Sequence, residues 1–187
     1  MASSAMSKAF TKDDASDDPV VVVPRAPLPP GTPNYVTPRG LAALRAEMRA
    51  LDAERARLEG LDAEVHRDRA RELTAVHARI RDLGERLAGA VPVDPRGQPH
   101  DEVRFGAEIT VEGEHGERRY EIVGVDEADA PQGRIAFVSP LARALLGKRV
   151  GDEVTVRTPR GKEELEILAI AYHLGGVGEV EGEDPTH

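Results

Sequence analysis

The sequence predicts an α+β protein, an N-terminal antiparallel coiled-coil helical hairpin followed by a small β domain with one short helix. Three observations carry this expectation. Leucines recur at three-, four- and seven-residue steps over residues 41–58, and a second apolar series does so over 73–87. Pro92 and Pro95 then end the helical pattern. From Val103 onward the apolar residues alternate with polar ones, as half-buried strands require.

Residues 1–34 are expected to form a disordered tail, acidic and rich in proline. Asp13, Asp14, Asp17 and Asp18 repel one another, and Pro24, Pro27, Pro29, Pro30 and Pro33 deny the segment a helix. The Val20–Val23 run is too short to make a core, and a docking peptide is the alternative use of this stretch. The hairpin is expected over 35–90. Thr37 fits a helix N-cap and Pro38 the first helical position. Leu41, Leu44, Met48, Leu51 and Leu58 share one helical face, and Leu73, Val76, Ile80, Leu83 and Leu87 share another. The stretch Glu59-Gly60-Leu61-Asp62 breaks the period between them. Neither narrow stripe can be buried alone, so the two helices are expected to fold back on each other. A continuous single helix is the competing reading. Gly60 argues against it, although Gly84 stands inside the second series. An arm of about 21 residues reaches about 30 Å.

Residues 91–102 read as a linker and 103–173 as the β domain. Ile109 and Val111, then Tyr120, Ile122 and Val123, alternate across a turn at Gly113–Gly116. Arg134–Val138 is another strand. Val154 and Val156, then Leu165, Ile167, Leu168 and Ile170, complete the set, with a hairpin turn at Arg160-Gly161-Lys162. The one helix is expected at Leu141–Leu146, entered through Ser139-Pro140 as cap and first residue. Strands with a single helix on one face describe an α+β domain. Residues 174–187, rich in Gly and Glu, are expected to be a second disordered tail.

Composition excludes several functions. With 34 acidic and 25 basic residues the net charge is −9, which argues against a protein that coats nucleic acid. An acidic chain can still bind a basic protein surface. Cysteine is absent, which removes disulfides, thiol catalysis and zinc-thiolate sites. No run approaches a membrane span and no signal peptide opens the chain, so a cytoplasmic protein is expected. Aromatics make up 3% and Trp is absent, which disfavours base-stacking platforms. His66 and His77 are eleven residues apart, too far for helical ligands of one metal. Ser139 has no His-Asp partner pattern, and Gly147-Lys148 lacks the preceding glycine of a phosphate loop. The arginines between Arg55 and Arg86 are interleaved with acids, as on a solvated coiled-coil face.

Several segments together resemble a known family. Thr37-Pro38-Arg39-Gly40-Leu41 resembles a Thr-Pro-x-Gly opening of a first hairpin helix, and Val91 to Pro95 the hairpin exit. Phe105-Gly106-Ala107 with Ile109 and Val111 resembles a first strand. Ile122-Val123-Gly124-Val125-Asp126-Glu127 and the run Val138 to Gly161 (VSPLARALLGKRVGDEVTVRTPRG) match more closely. Met6 to Lys12 also looks like the start of some GreB-type proteins. The chain thus resembles, over about residues 35–172, the bacterial GreA/GreB transcription elongation (transcript-cleavage) factors. It looks GreB-like, with a shortened, atypical hairpin. The resemblance implies an FKBP-like C-terminal domain and a monomer that acts on RNA polymerase, and on nucleic acid only through the elongation complex. The β domain would dock at the mouth of the secondary channel and the hairpin enter it. In the family, acidic tip residues help hold a Mg²⁺ ion shared with the polymerase; the factor has no cofactor of its own and is not itself an enzyme. Oxygen ligands and retained waters suit Mg²⁺, and two metals can stabilise attacking and leaving oxygens of a phosphodiester.

The chain departs from the family pattern at the tip. The Gly-Asp-x-x-Glu-Asn pattern is missing, and between Thr37 and Pro95 the chain is roughly 14 residues short, about seven per arm or about 10 Å of reach. One heptad lost from each arm preserves the seam. Glu59, Asp62 and Glu64 are the substitute tip carboxylates, but an acidic turn at a helix start is also ordinary. Phosphoryl chemistry tolerates misplacements no larger than about 1 Å. Ser139 and Pro140 stand where the resemblance places the polymerase-contacting loop. Asp126 and Glu127 read either as exposed partner contacts or as turn residues. Val138 occupies a place where some family members have a docking carboxylate. The expected function is therefore a secondary-channel regulator with weak or no cleavage stimulation, comparable with the short-hairpin Rnk-type regulators. The alternatives are a fully active cleavage factor, a peptidyl-prolyl isomerase using an aromatic-lined pocket from among Phe105, Tyr120, Phe137 and Tyr172, and a coiled-coil adaptor.

Overall fold

The computed structural model describes residues 25–62, 68–158 and 161–173. Two helices form the arm, α1 (Pro38–Glu59) and α2 (Arg69–Ala88). They run antiparallel. Moving from tip to base, Arg69 meets Leu58 and Glu59, Arg79 meets Glu54, and Arg86 meets Asn34. The seam is the predicted one. Leu44, Leu51 and Leu58 of α1 and Val76 and Leu83 of α2 are buried at strict seven-residue spacing, with Met48, Ile80 and Leu87 packed beside them. His77 is exposed, as a surface histidine should be.

Helix α1 starts at the expected cap, and its far end is tied to α2. Thr37 caps α1 by accepting from the Gly40 amide at 3.0 Å. At the far end the last carbonyls of α1 have spare acceptor capacity, Leu58 O being met by the Leu61 amide at 3.2 Å. The Arg69 guanidinium satisfies two of them, donating to Leu58 O at 2.7 Å and Glu59 O at 2.9 Å. The first residue of α2 thus closes the C-terminus of α1.

The base of the arm differs from expectation. Asn34–Val36 is a strand, β1, paired in parallel with β2 (Ala90–Pro92), so the whole hairpin is the crossover between them. The expected tail is described from Arg25 onward, and its last residues lie against the hairpin: Arg86 donates to the Ala26 carbonyl and Asn34 Nδ2 donates to Arg86 O at 3.0 Å. The expected linker contains β2 and a one-turn 3-10 helix at Pro95–Gly97, capped by Asp94. Composition alone hides a three-residue parallel pair, because its partners are separated by the entire arm.

The β domain is one five-stranded sheet: β3 (Glu108–Gly113), β4 (Gly116–Val123), β5 (Arg134–Ala136), β6 (Glu153–Thr158) and β7 (Gly161–Ala171), in the order β5-β4-β3-β7-β6. All neighbours are antiparallel except β4 and β5. Helix α3 (Pro140–Leu145) covers one face and buries Ala142 and Leu145 among Ile109, Val111, Ile122, Val154, Val156, Leu165 and Ile167. Leu168 is the extra residue of a bulge: Thr110 pairs with Ala169 and Val111 with Ile167, which leaves Leu168 on the exposed side. The β6–β7 turn is closed by Thr158 and Gly161, so Lys162 belongs to β7 rather than to the turn. The segment before β3 is pinned by Tyr172, whose hydroxyl donates to Glu102 O at 2.6 Å and accepts from the Arg104 amide at 2.9 Å. Burial raises the Tyr172 phenol above its ordinary range.

Leu83 is wholly buried in the seam, packed in one cluster with Leu44, Leu51, Met48, Ile80 and Leu87. Leu83→Ala is expected to cost about 2–5 kcal/mol, read as a lower urea midpoint by circular dichroism at unchanged folded-state helicity.

Candidate functional site

Three places carry the candidate residues: the root of the arm, the start of α3 and the tip. At the root, the 3-10 turn Val125–Glu127 follows β4 and lies against β1 and the first turn of α1. The Glu127 side chain is 7% exposed. Its carboxylate accepts from the Thr37 amide at 3.0 Å and from the Thr37 hydroxyl, which in turn accepts from the Gly40 amide. It therefore sits at the positive end of α1, with Arg39 3.8 Å away. The approach is close enough that a Cβ on Gly40 would stand 2.0 Å from the Glu127 carboxyl carbon. Gly124 makes a similar allowance, since a Cβ there would stand 2.7 Å from the Tyr35 carbonyl.

Asp126 faces the other helix. Its side chain is 6% exposed and lies 3.3 Å from Arg25 and 3.2 Å from the Nε of Arg86. The Arg86 approach to Oδ2 lacks hydrogen-bond alignment, so that oxygen is held by charge alone. Arg25 also reaches Glu47 of α1 and, at 4.0 Å, Asp82 of α2. Burial alone would pull the Arg25 guanidinium down; the hydrogen bonds and charges of Glu47 and Asp126 outweigh it and hold it above its ordinary range. Arg39 extends the same network onto β4, its Nη2 donating to both carboxylate oxygens of Glu121 at 3.0 Å. A polar cleft of about 410 Å³ runs between these groups, lined by Arg25, Arg39, Glu47, Asp126, Asp129 and Arg134. The reading of Asp126 and Glu127 as exposed partner contacts is thereby corrected. Both side chains point inward and fasten the β domain to the arm.

Ser139 and Pro140 stand differently. Parallel pairing of β4 with β5 matches Val123 to Ala136, so the chain leaves both strands at one end of the sheet. After β4 it turns inward to the arm; after β5 it reaches the start of α3. Ser139 Oγ caps that helix, accepting from the Ala142 amide at 3.2 Å, and Pro140 is exposed. The cap explains Ser139 locally and leaves Pro140 accessible.

At the tip, Glu59 is mostly exposed and 3.9 Å from Arg55, which also pairs with Asp52 at 3.2 Å. Asp62 has an interaction of its own, and Glu64 lies outside the described residues. Among the described residues no group of three or more His, Cys, Asp or Glu side chains is gathered to hold a metal. The described tip mixes Arg55 and Arg69 with Glu59, a donor set that does not fit a Mg²⁺ site by itself.

The aromatic residues are spent on packing. Tyr35 of β1 enters the β-domain core, with its ring 5.8 Å from Phe105 and 5.5 Å from Phe137, and those two rings 5.7 Å apart. Tyr120 lies beneath the Arg118 guanidinium. A cleft of about 400 Å³ remains beside Tyr35, Val103, Phe105 and Leu146.

Comparison with known proteins identifies this assembly. A family model described as Transcription elongation factor, GreA/GreB, C-term, matches residues 98–172. A transcription elongation factor GreB from Neisseria meningitidis is 40% identical over 155 residues, covering 75% of this chain and 95% of that protein. The chain belongs to the GreA/GreB family. A GreA from Psychrobacter cryohalolentis is 41% identical over 152 residues, covering 73% of this chain and 96% of its own length. Solved structures of the Gre type include the GreA factor homolog 1 of Thermus thermophilus (22% identity, 75% of this chain and 99% of that one, TM-score 0.36) and a GreA/GreB factor from Nitrosomonas europaea (20%, 74% and 98%, TM-score 0.37). The 155 positions aligned to the Neisseria GreB occupy 75% of a 187-residue chain, about 140 residues, so about 15 positions of that Gre protein have no counterpart here.

Sequence reasoning missed Arg25, Arg39, Arg86 and Gly40 as parts of the root. One signal was present: a glycine in the first turn of a helix is unfavourable unless something must come close. A double-mutant cycle tests that explanation. Gly40→Ala alone is expected to cost about 1–3 kcal/mol through the Glu127 clash, and Glu127→Ala about 2–4 kcal/mol through the lost cap and pairing. The double variant should be no less stable than Glu127→Ala, as measured by urea denaturation.

Proposed function

We propose that the chain is an RNA polymerase-binding elongation regulator. It docks at the secondary channel through its β domain and stimulates transcript cleavage weakly or not at all. Family membership supports the partner, since the relatives are named as transcription elongation factors. The observation that carries the finer reading is the arm. The chain lacks about 15 positions relative to a Gre factor. Taken from the two helices of the hairpin, that is about 10 Å of reach, against a tolerance of about 1 Å for phosphoryl chemistry. The described tip also presents no carboxylate cluster that would bring a metal with it. What the arm does supply is a stiff, sealed rod whose base is fixed to the β domain through Asp126 and Glu127. A protein with the docking end of a Gre factor and a shorter rod occupies the channel mouth and competes with other channel factors. Ser139 and Pro140 are the docking residues at the start of α3, with Pro140 exposed.

Purified backtracked elongation complexes test both parts. The chain is expected to yield cleavage at least about tenfold slower than a Gre factor with a full-length arm, and the residual rate should be unchanged by Glu59→Ala or Asp62→Ala. It should inhibit cleavage by that second factor in a concentration-dependent way, and Pro140→Arg should weaken the inhibition. Rapid cleavage that disappears in either tip variant would establish the active-factor reading instead.

A further inference from the structure

The exposed face of the sheet carries a charge arrangement that its own fold does not satisfy. Across four adjacent strands Glu117 pairs with Glu112, Glu112 with Glu166, and Glu166 with Glu153. All four are exposed. At the other end of the β6–β7 hairpin Arg157 faces Lys162. Like charges directly opposite are destabilising in a sheet. Both unfavourable rungs end on β6, an edge strand. Among the described residues neither Glu153 nor Arg157 has an oppositely charged partner.

The backbone of β6 is arranged to accept one more strand. Ile167 donates to the Asp152 carbonyl at 3.0 Å, so even-numbered residues of this strand turn their hydrogen-bonding groups toward β7. Those of Glu153, Thr155 and Arg157 therefore face the open edge. Their side chains lie on the exposed face, since Val154 and Val156 are buried.

We infer that β6 is a self-association edge whose occupant is β6 of a second copy, antiparallel and centred on Thr155. The register follows from charge. With Thr155 opposite its own equivalent, Glu153 of each copy meets Arg157 of the other, twice by symmetry. The same three residues are those with free main-chain groups, so each of the three rungs closes with two hydrogen bonds, and two five-stranded sheets join into one. Shifting the strands by two residues loses both charge pairs. A strand edge of this length buries far less than the roughly 1,600 Å² of a standard interface, so the dimer is weak and reversible. It involves neither the arm nor the start of α3, and it holds or fails independently of polymerase binding.

Sedimentation velocity of the full chain at low salt, from about 10 μM to about 1 mM, brackets such an affinity. The chain should move from monomer to dimer across that range. Glu153→Arg and Arg157→Glu should each abolish the shift, weakening association by about tenfold or more. Each also replaces a like-charge rung within the hairpin by an opposite-charge one, facing Glu166 or Lys162, so thermal stability should be kept or raised. Loss of association then cannot come from unfolding. The double variant Glu153→Arg/Arg157→Glu restores complementarity and should dimerise again. A chain that stays monomeric throughout, a dimer indifferent to the single variants, or a double variant that does not recover would each overturn the inference.

Discussion

The structure depends on one buried carboxylate. Glu127 belongs to the β domain, yet its partners are the first residues of the arm: the Thr37 amide and hydroxyl, the N-terminus of α1 and the nearby Arg39. Burying an ionised group is costly unless its lone pairs are met by donors of fixed geometry. Here the donors come from a helix start, whose amides need an acceptor in any case. The same contact requires a residue without a side chain at position 40 and another at 124, where β1 passes over the turn. Asp126 repeats the arrangement toward α2 through Arg86, and Arg25 ties in the preceding segment. Two adjacent acids thus hold both helices of the arm at their roots.

A rod rooted in this way can change length without changing its base. The seam of α1 and α2 is periodic, with buried residues at 44, 51 and 58 and at 76 and 83. Each heptad packs mainly against the heptad opposite. Removing one from each helix leaves the period and the root intact and shortens only the reach. Tip chemistry and docking are therefore physically separable in this fold. A change of arm length alters where the tip sits, while β5 and α3 keep their place in the β domain.

Legibility in the sequence follows the range of the interaction. The arm was readable because a heptad stripe is a local pattern; so was the α3 start, because Ser139 and Pro140 cap their own helix. The strands from Ile109 to Ile170 announced themselves by alternation; the bulge at Leu168, the shift of the β6–β7 turn and the end of β5 at Ala136 rather than Val138 escaped, since all three depend on register between strands. The β1–β2 pair and the inward turn of Asp126 and Glu127 were not readable. The β1–β2 partners lie 56 residues apart (34 to 90) and those of Asp126 and Glu127 lie 40 (86 to 126) to 101 residues away, and an acidic pair after a strand looks the same whether it faces solvent or a helix N-terminus. Tyr35 was missed for that reason too: it precedes the arm but completes an aromatic cluster with Phe105 and Phe137.

The sheet order keeps the two outward-facing surfaces apart. β5, which leads into Ser139 and Pro140, and β6, which carries Glu153 and Arg157, are opposite edges with three strands between them. At about 4.8 Å per strand that separation is about 19 Å. The charges differ in kind as well. The α3 start offers an exposed proline beside a hydroxyl that caps its own helix, whereas β6 offers one acid and one base, on either side of Thr155. An edge strand left long and neutral would pair indiscriminately. Charge on β6 disfavours strands that bring like charges to Glu153 and Arg157, and an antiparallel copy of β6 is one strand that avoids this.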